Sequence, residues 1–224
     1  MERQPGALTL SEDDRRVLAV WTADCAERTL SLFEAQAPRD TRPRDAINGL
    51  RAFARGEMSI GKVRALSARA HAAAREIGDP AAVATARAAG HAAAVAHMAA
   101  HARGVAYAAI AAGLAAPDDP TAVTDEVGWQ VKHSSPSVRD VLLRLPPPRR
   151  SGGVLAGLIN DLHTKLTGAD DARPRAQDAG LVPGRRSEPA TRTHTEGTVR
   201  PTMGPQAAAS AGAPALRPFT ALRA

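Results

Sequence analysis

Residues 79–101 read DPAAVATARAAGHAAAVAHMAAH, from Asp79 to His101. Asp79 and Pro80 supply an N-cap and a first-turn proline, the two residue types that start a helix without leaving a backbone donor stranded. The alanines that follow carry the highest intrinsic helix propensity of any residue. The spacing predicts a long helix that runs to Ala116 or breaks near Gly104. At about 100° per residue, with His91 at 0°, Arg87 falls near 320°, His101 near 280° and His97 near 240°. These four polar side chains share about one third of the circumference, with Val83, Val95, Met98 and Val105 in or beside the sector. Much of the opposite face is Ala. Such a helix is enclosed on most sides: its small face admits a close neighbour and its larger face meets other helices, with imidazoles set among the apolar groups. A central Ala- and His-rich helix of this kind implies an all-α fold.

The flanking sequence carries the same punctuation. Ser11, followed by Glu12, Asp13 and Asp14, begins a helix whose apolar stripe is Val17, Leu18, Trp21, Cys25, Leu32 and Phe33, and Pro38 ends it. Pro43 opens the next, with Ile47, Leu50 and Phe53 inside and Gly56 as its C-cap. Ile60, Val63, Leu66, Ala70, Ala74 and Ile77 make a third stripe, closed by Gly78. Shorter helices are expected at about 121–132, 137–145 and 153–166. The total is six to eight helices in one compact domain, residues 1–168, antiparallel where the loops are short.

Composition turns at about Gly168. Seven of the 17 prolines lie beyond it, with many Ser, Thr and Gly residues and no sustained apolar period. Residues 169–224 are therefore expected to be a disordered tail. The net charge is +6, which invites a nucleic-acid reading. Yet the first 168 residues hold 21 Lys+Arg against 18 Asp+Glu, and the rest hold 8 against 5. Half of the excess thus sits in the tail, no dense basic run occurs, and a nucleic-acid partner is not expected. One cysteine, Cys25, allows no intramolecular disulfide and fits a core position. The first residues lack a basic-then-apolar leader, and the apolar stretch from Ala88 to Ala116 is broken by His91, His97, His101 and Arg103. A cytoplasmic protein without a membrane span is expected.

Chemistry-bearing residues cluster around the central helix. His71 and Arg75 share a face of the third helix and can meet His91, His97, His101 and Arg87. Arg44, Asp45 and Arg55 on the preceding helix are further candidates for a buried polar network or a partner-binding groove. The plainest role is structural, since buried imidazoles need hydrogen-bond partners. A partner-facing groove comes next, and a metal site after it. His97 and His101, four apart, could share a metal, but the stretch lacks the His-Glu-x-x-His pattern and no carboxylate lies within a turn. No metal and no cofactor are expected. No nucleophile, base and oxyanion site assemble from the sequence, and no glycine-rich phosphate loop occurs; Ser151 to Gly153 reads as a turn. Trp21 and Trp129 read as core anchors.

Several segments then resemble one family when taken in order. They are Trp21 to Arg28 with Leu32, Phe33 and Glu34; Arg42 to Ile47; Arg51 to Glu57; His71 to Glu76; and the run from His91 to His101. Over residues 8–168 the chain resembles the Imm-five-like immunity proteins, small all-helical bacterial proteins. The resemblance implies a non-enzymatic protein that binds a toxin and neutralises it as a stoichiometric complex. It carries over no catalytic residue. The near-balanced domain charge argues against a strongly basic toxin. Two alternatives remain from the residues alone: a helical enzyme or metal-binding protein using His71, His91, His97 and His101, or a nucleic-acid-associated protein.

Overall fold

The computed structural model describes residues 6–148 and 152–168. The expected disordered segment, 169–224, lies outside the described residues. Among those described, the chain forms α1 (Glu12–Glu27), α2 (Leu30–Gln36), α3 (Arg42–Ala54), α4 (Ile60–Glu76), α5 (Pro80–Ala94), a 3-10 segment (Ala99–Val105), α6 (Ala106–Ala115), α7 (Ala122–Lys132), α8 (Pro136–Leu143) and α9 (Val154–Thr167), with no strand.

The caps follow the sequence closely. Ser11 Oγ accepts from the Asp14 amide at 3.1 Å while the Asp14 carboxylate accepts from the Ser11 amide, a reciprocal capping box. Asp79 accepts from the Ala82 amide at 2.8 Å, and Ser135 caps α8 with Pro136 behind it. Gly56 and Gly168, with φ of 80° and 66°, end α3 and α9 in the left-handed conformation that glycine adopts without strain.

Two expected helices are divided. The first breaks at Arg28 and Thr29, so that Leu30 joins the main core while Phe33 enters a second cluster with Ala73, Ala74, Ala82 and Ala86. The long Ala-rich helix ends at Ala94, ten residues before Gly104. Tertiary hydrogen bonds replace the helical ones there. The buried Arg15 guanidinium donates from Nε to the Ala96 carbonyl at 3.0 Å and from Nη1 to the Leu10 carbonyl at 2.7 Å. The Ala99 and Ala100 amides donate to the carbonyls of Thr9 and Leu8.

α5 is the hub and meets α1, α2, α3, α4, α6 and the 3-10 segment. Eleven of its 15 residues are buried, and nearly all of those are Ala. Small side chains let the surrounding helices close in on it. A second contact of this kind joins α3 to α4, where the bare Cα of Gly49 receives the Leu66 side chain.

Candidate functional site

Four imidazoles converge where α4, α5 and the 3-10 segment meet. The His71 and His91 rings stand edge to face at 4.9 Å, and His91 lies 5.5 Å from His101, which lies 5.3 Å from His97. His91 and His101 bring their Nδ1 atoms to 3.3 Å, so one donates to the other. The Tyr107 ring stacks on His91 at 5.2 Å, and the Arg87 guanidinium stands 5.8 Å from the centre of that phenol. A straight helix would hold Arg87, His91, His97 and His101 in one sector. The helix is not straight, and the histidines meet because the chain turns back after Ala94.

Two glycines make the cluster sterically possible. A Cβ at Gly90 would sit 2.7–2.8 Å from the His71 ring, and one at Gly104 would overlap Cβ and Cγ of His91. From the sequence alone Gly104 marks a possible helix break, and Gly90 carries no evident role. The available signal was glycine within an Ala-rich helical run, where Ala would serve the helix better.

The cluster holds its imidazoles neutral. Burial pushes His91 down to about 4, with His71, His101 and Arg87 adding repulsion. His71 is lowered by burial and then by Arg75 and Arg87, and His97 by burial and then by Arg64 and Arg15. His101 is lowered by burial, His97 and His71. All four side chains are half-buried. The Nδ1 atom of His97 is buried without a hydrogen-bond partner. Among the described residues, no group of three or more His, Cys, Asp or Glu side chains is placed to hold a metal ion.

The remaining candidates stand in other surroundings. Arg44 forms a two-pronged pair with Glu34, Asp45 accepts from Thr41, and Arg55 pairs with Glu57. Arg75 is exposed on α4 near His71. Most other surface arginines are likewise matched to carboxylates: Arg16 to Glu12, Arg42 to Asp40 and Glu76, Arg51 to Asp24 and Glu27, and Arg144 to Asp14. Around the histidines this pattern stops. Arg64, Arg75 and Arg87 form no ion pair among the described residues, and they surround His71 and His97.

A second polar network, without a local signature in the sequence, lies on α7. Glu126 and Gln130 on α7 are buried, and Gln130 donates to Glu126 at 3.1 Å and to the Val105 carbonyl at 3.2 Å. Arg28 donates to Glu126 at 2.7 Å and lies 4.0 Å from the centre of the Trp129 ring, which stacks on His133. Trp21 is a core residue and donates to the Gln130 carbonyl. Trp129 is only half-buried, at the edge of the core, with Arg28 and His133 against its ring. Cys25 is fully buried, and burial, then Glu126 and Asp24, push its thiol well up, which suits an inert core position.

The family model for Imm-5 like putative immunity protein matches residues 8–137. The chain belongs to this family. The match contains α1 to α7 and the whole histidine cluster; nearly all of α8 and the whole of α9 lie beyond it. No curated protein and no solved structure matches the chain. No helix among the described residues is long and apolar enough to cross a membrane.

Proposed function

We propose that this Imm-5 like protein neutralises a toxin by stoichiometric binding, and that the face built from Arg64, His71, Arg75, Arg87, His97 and His101 contacts an acidic surface of that toxin. The observation that carries the reading is the interrupted charge pairing. Most surface arginines elsewhere on the described helical body pair with neighbouring carboxylates, Arg39, Arg69 and Arg139 excepted, whereas on this face Arg64, Arg75 and Arg87 all stand without them. A cationic face with neutral imidazoles repels basic partners and complements acidic ones. The helices hold these groups before any encounter, so little side-chain order is lost on binding. Family membership supports the protein partner, and the near-balanced charge of the domain agrees with a partner that is not strongly basic. The helical domain, residues 1–168, carries the activity, and 169–224 are dispensable.

The test is co-expression with the toxin encoded beside the gene, using the full chain, residues 1–168, and the full chain with Arg75→Glu and Arg87→Glu together. Survival and a stable one-to-one complex are expected with the first two. The charge-reversed chain, its thermal unfolding unchanged, should bind more weakly by about a hundredfold. Protection at strongly substoichiometric protein, or a complex indifferent to both reversals, overturns the reading.

A further inference from the structure

Beside the docking face lies a cavity of about 340 Å³. One side is polar and comes from the family-matched segment: His91, His101, Arg103 and Tyr107. The other is apolar and comes from beyond it, chiefly Leu155, Ala156 and Ile159 of α9. No carboxylate among the described residues lines it. Arg103 is half-buried and unlike the surface arginines. Its guanidinium donates to the Pro146 carbonyl, its Nε is buried without a partner, and it forms no ion pair among the described residues.

We propose that this cavity is a binding site for a small organic carboxylate, with the acid group toward Arg103 and the His91–His101 pair and the apolar body against α9. A carboxylate supplies the charge that Arg103 lacks, through the planar two-pronged geometry guanidinium groups favour. Leu155 and Ile159 select a hydrocarbon body over a hydrated inorganic anion. The volume admits a ligand of benzoate or hexanoate size and is at the small end for organic ligands.

The surroundings also fix how binding responds to pH. The charged and titratable groups that act on the His91–His101 pair are His71 from α4, Arg87 from α5 and His97 from the turn after it, with Arg75 behind His71; on α9 the His163 imidazole is lowered by burial and then by Arg103. The carboxylate of α9, Asp161, is exposed and pairs with Lys165. Burial and these neighbours hold His91 and His101 neutral. An entering anion reverses that balance and draws a proton onto one imidazole. Binding therefore takes up a proton and tightens as the pH falls.

The experiment is titration of the full chain with benzoate, hexanoate, benzylamine, inorganic phosphate and a leucine-terminated tetrapeptide, followed by calorimetry and by histidine-ring NMR signals. Benzoate or hexanoate should bind at one site and perturb His91 and His101. Affinity should rise about fivefold or more from about pH 7.5 to about pH 6, with far-ultraviolet circular dichroism confirming the fold at each pH. Ile159→Trp, which fills the cavity without touching the basic groups, should abolish binding. Arg103→Gln should weaken it about tenfold or more; Arg103→Lys, which retains the charge, serves if that chain does not fold. The proposal fails if neither acid saturates a site at about 10 mM, if benzylamine or phosphate binds equally well, if only the tetrapeptide binds, or if Ile159→Trp leaves binding intact.

Discussion

At Gly104 a hydrogen stands where any other residue would place a Cβ, and that space is taken by the root of the His91 side chain. Gly90 is crowded differently, against the ring of the half-exposed His71. The distinction has consequences, because Cβ of His91 cannot move without its backbone, whereas the His71 ring can rotate away. Gly104→Ala should therefore destabilise the protein by about 1–3 kcal/mol through overpacking, and Gly90→Ala by clearly less. Denaturant unfolding of the two variants measures the difference; equal losses, or a stabilised Gly104→Ala, would contradict this account. The residue identities at the cluster were legible from the sequence. Their approach was not, because the two glycines that permit it act only once α5 and the 3-10 segment have met the imidazoles.

α5 illustrates the same division at the scale of an element. Its start is written in Asp79 and Pro80, and its enclosure in the density of Ala. Its end is written nowhere nearby: residues 91–102 contain neither Pro nor Gly, and Ala favours continuation. Arg15, far away in sequence, takes the Ala96 carbonyl and holds the N-terminal turn as well. Arg15→Met retains much of the side-chain volume but strips these buried carbonyls of their charged donor. It should cost about 3 kcal/mol, while Arg44→Met, which breaks an exposed pair with Glu34, should cost less than about 1 kcal/mol. Chemical denaturation distinguishes them, and a loss at Arg15 no greater than at Arg44 would remove Arg15 as the determinant of the break. In α1 the residue sits three positions before Leu18, on the stripe that continues to Trp21 and Cys25, and that buried register was the only available clue.

For the whole molecule, the neutral imidazoles link stability to pH. His91 titrates near 4 when folded, whereas an unperturbed histidine titrates near 6.5. The unfolded chain therefore binds the proton first. The stability contribution is complete above about pH 6.5, declines as the pH falls, and is lost by about pH 4, amounting to at most about 3 kcal/mol for this group. His71, His97 and His101 shift in the same direction and steepen the decline. The carboxylates act in a lower window: Glu27, held down by Arg51, and Asp40, held down by Arg42, lose their contribution only as the pH falls through their own depressed values. Urea unfolding at pH 7.5, 6 and 5 should thus show a fall well before the carboxylates protonate. Constant stability across that range would show the imidazoles to be indifferent to their surroundings.

The sequence by itself determined the helical class, the capped starts of α1, α5 and α8, the left-handed glycine end of α3, and the histidines that were candidates to meet. These are local matters, fixed by cap chemistry, proline and glycine geometry and apolar period. The tertiary structure alone decided where the first and fifth helices stop, that Glu126 and Gln130 form a buried network with Arg28, and which arginines find carboxylates. It also decided that Arg44, Asp45 and Arg55 bond to Glu34, Thr41 and Glu57, while His71 packs on His91, Arg87 stands beside Tyr107 and Arg75 lies near His71. The reason is physical: a cap is satisfied within one turn of its own chain, whereas an ion pair, a buried donor or a helix break imposed by Arg15 depends on partners that only packing brings within reach.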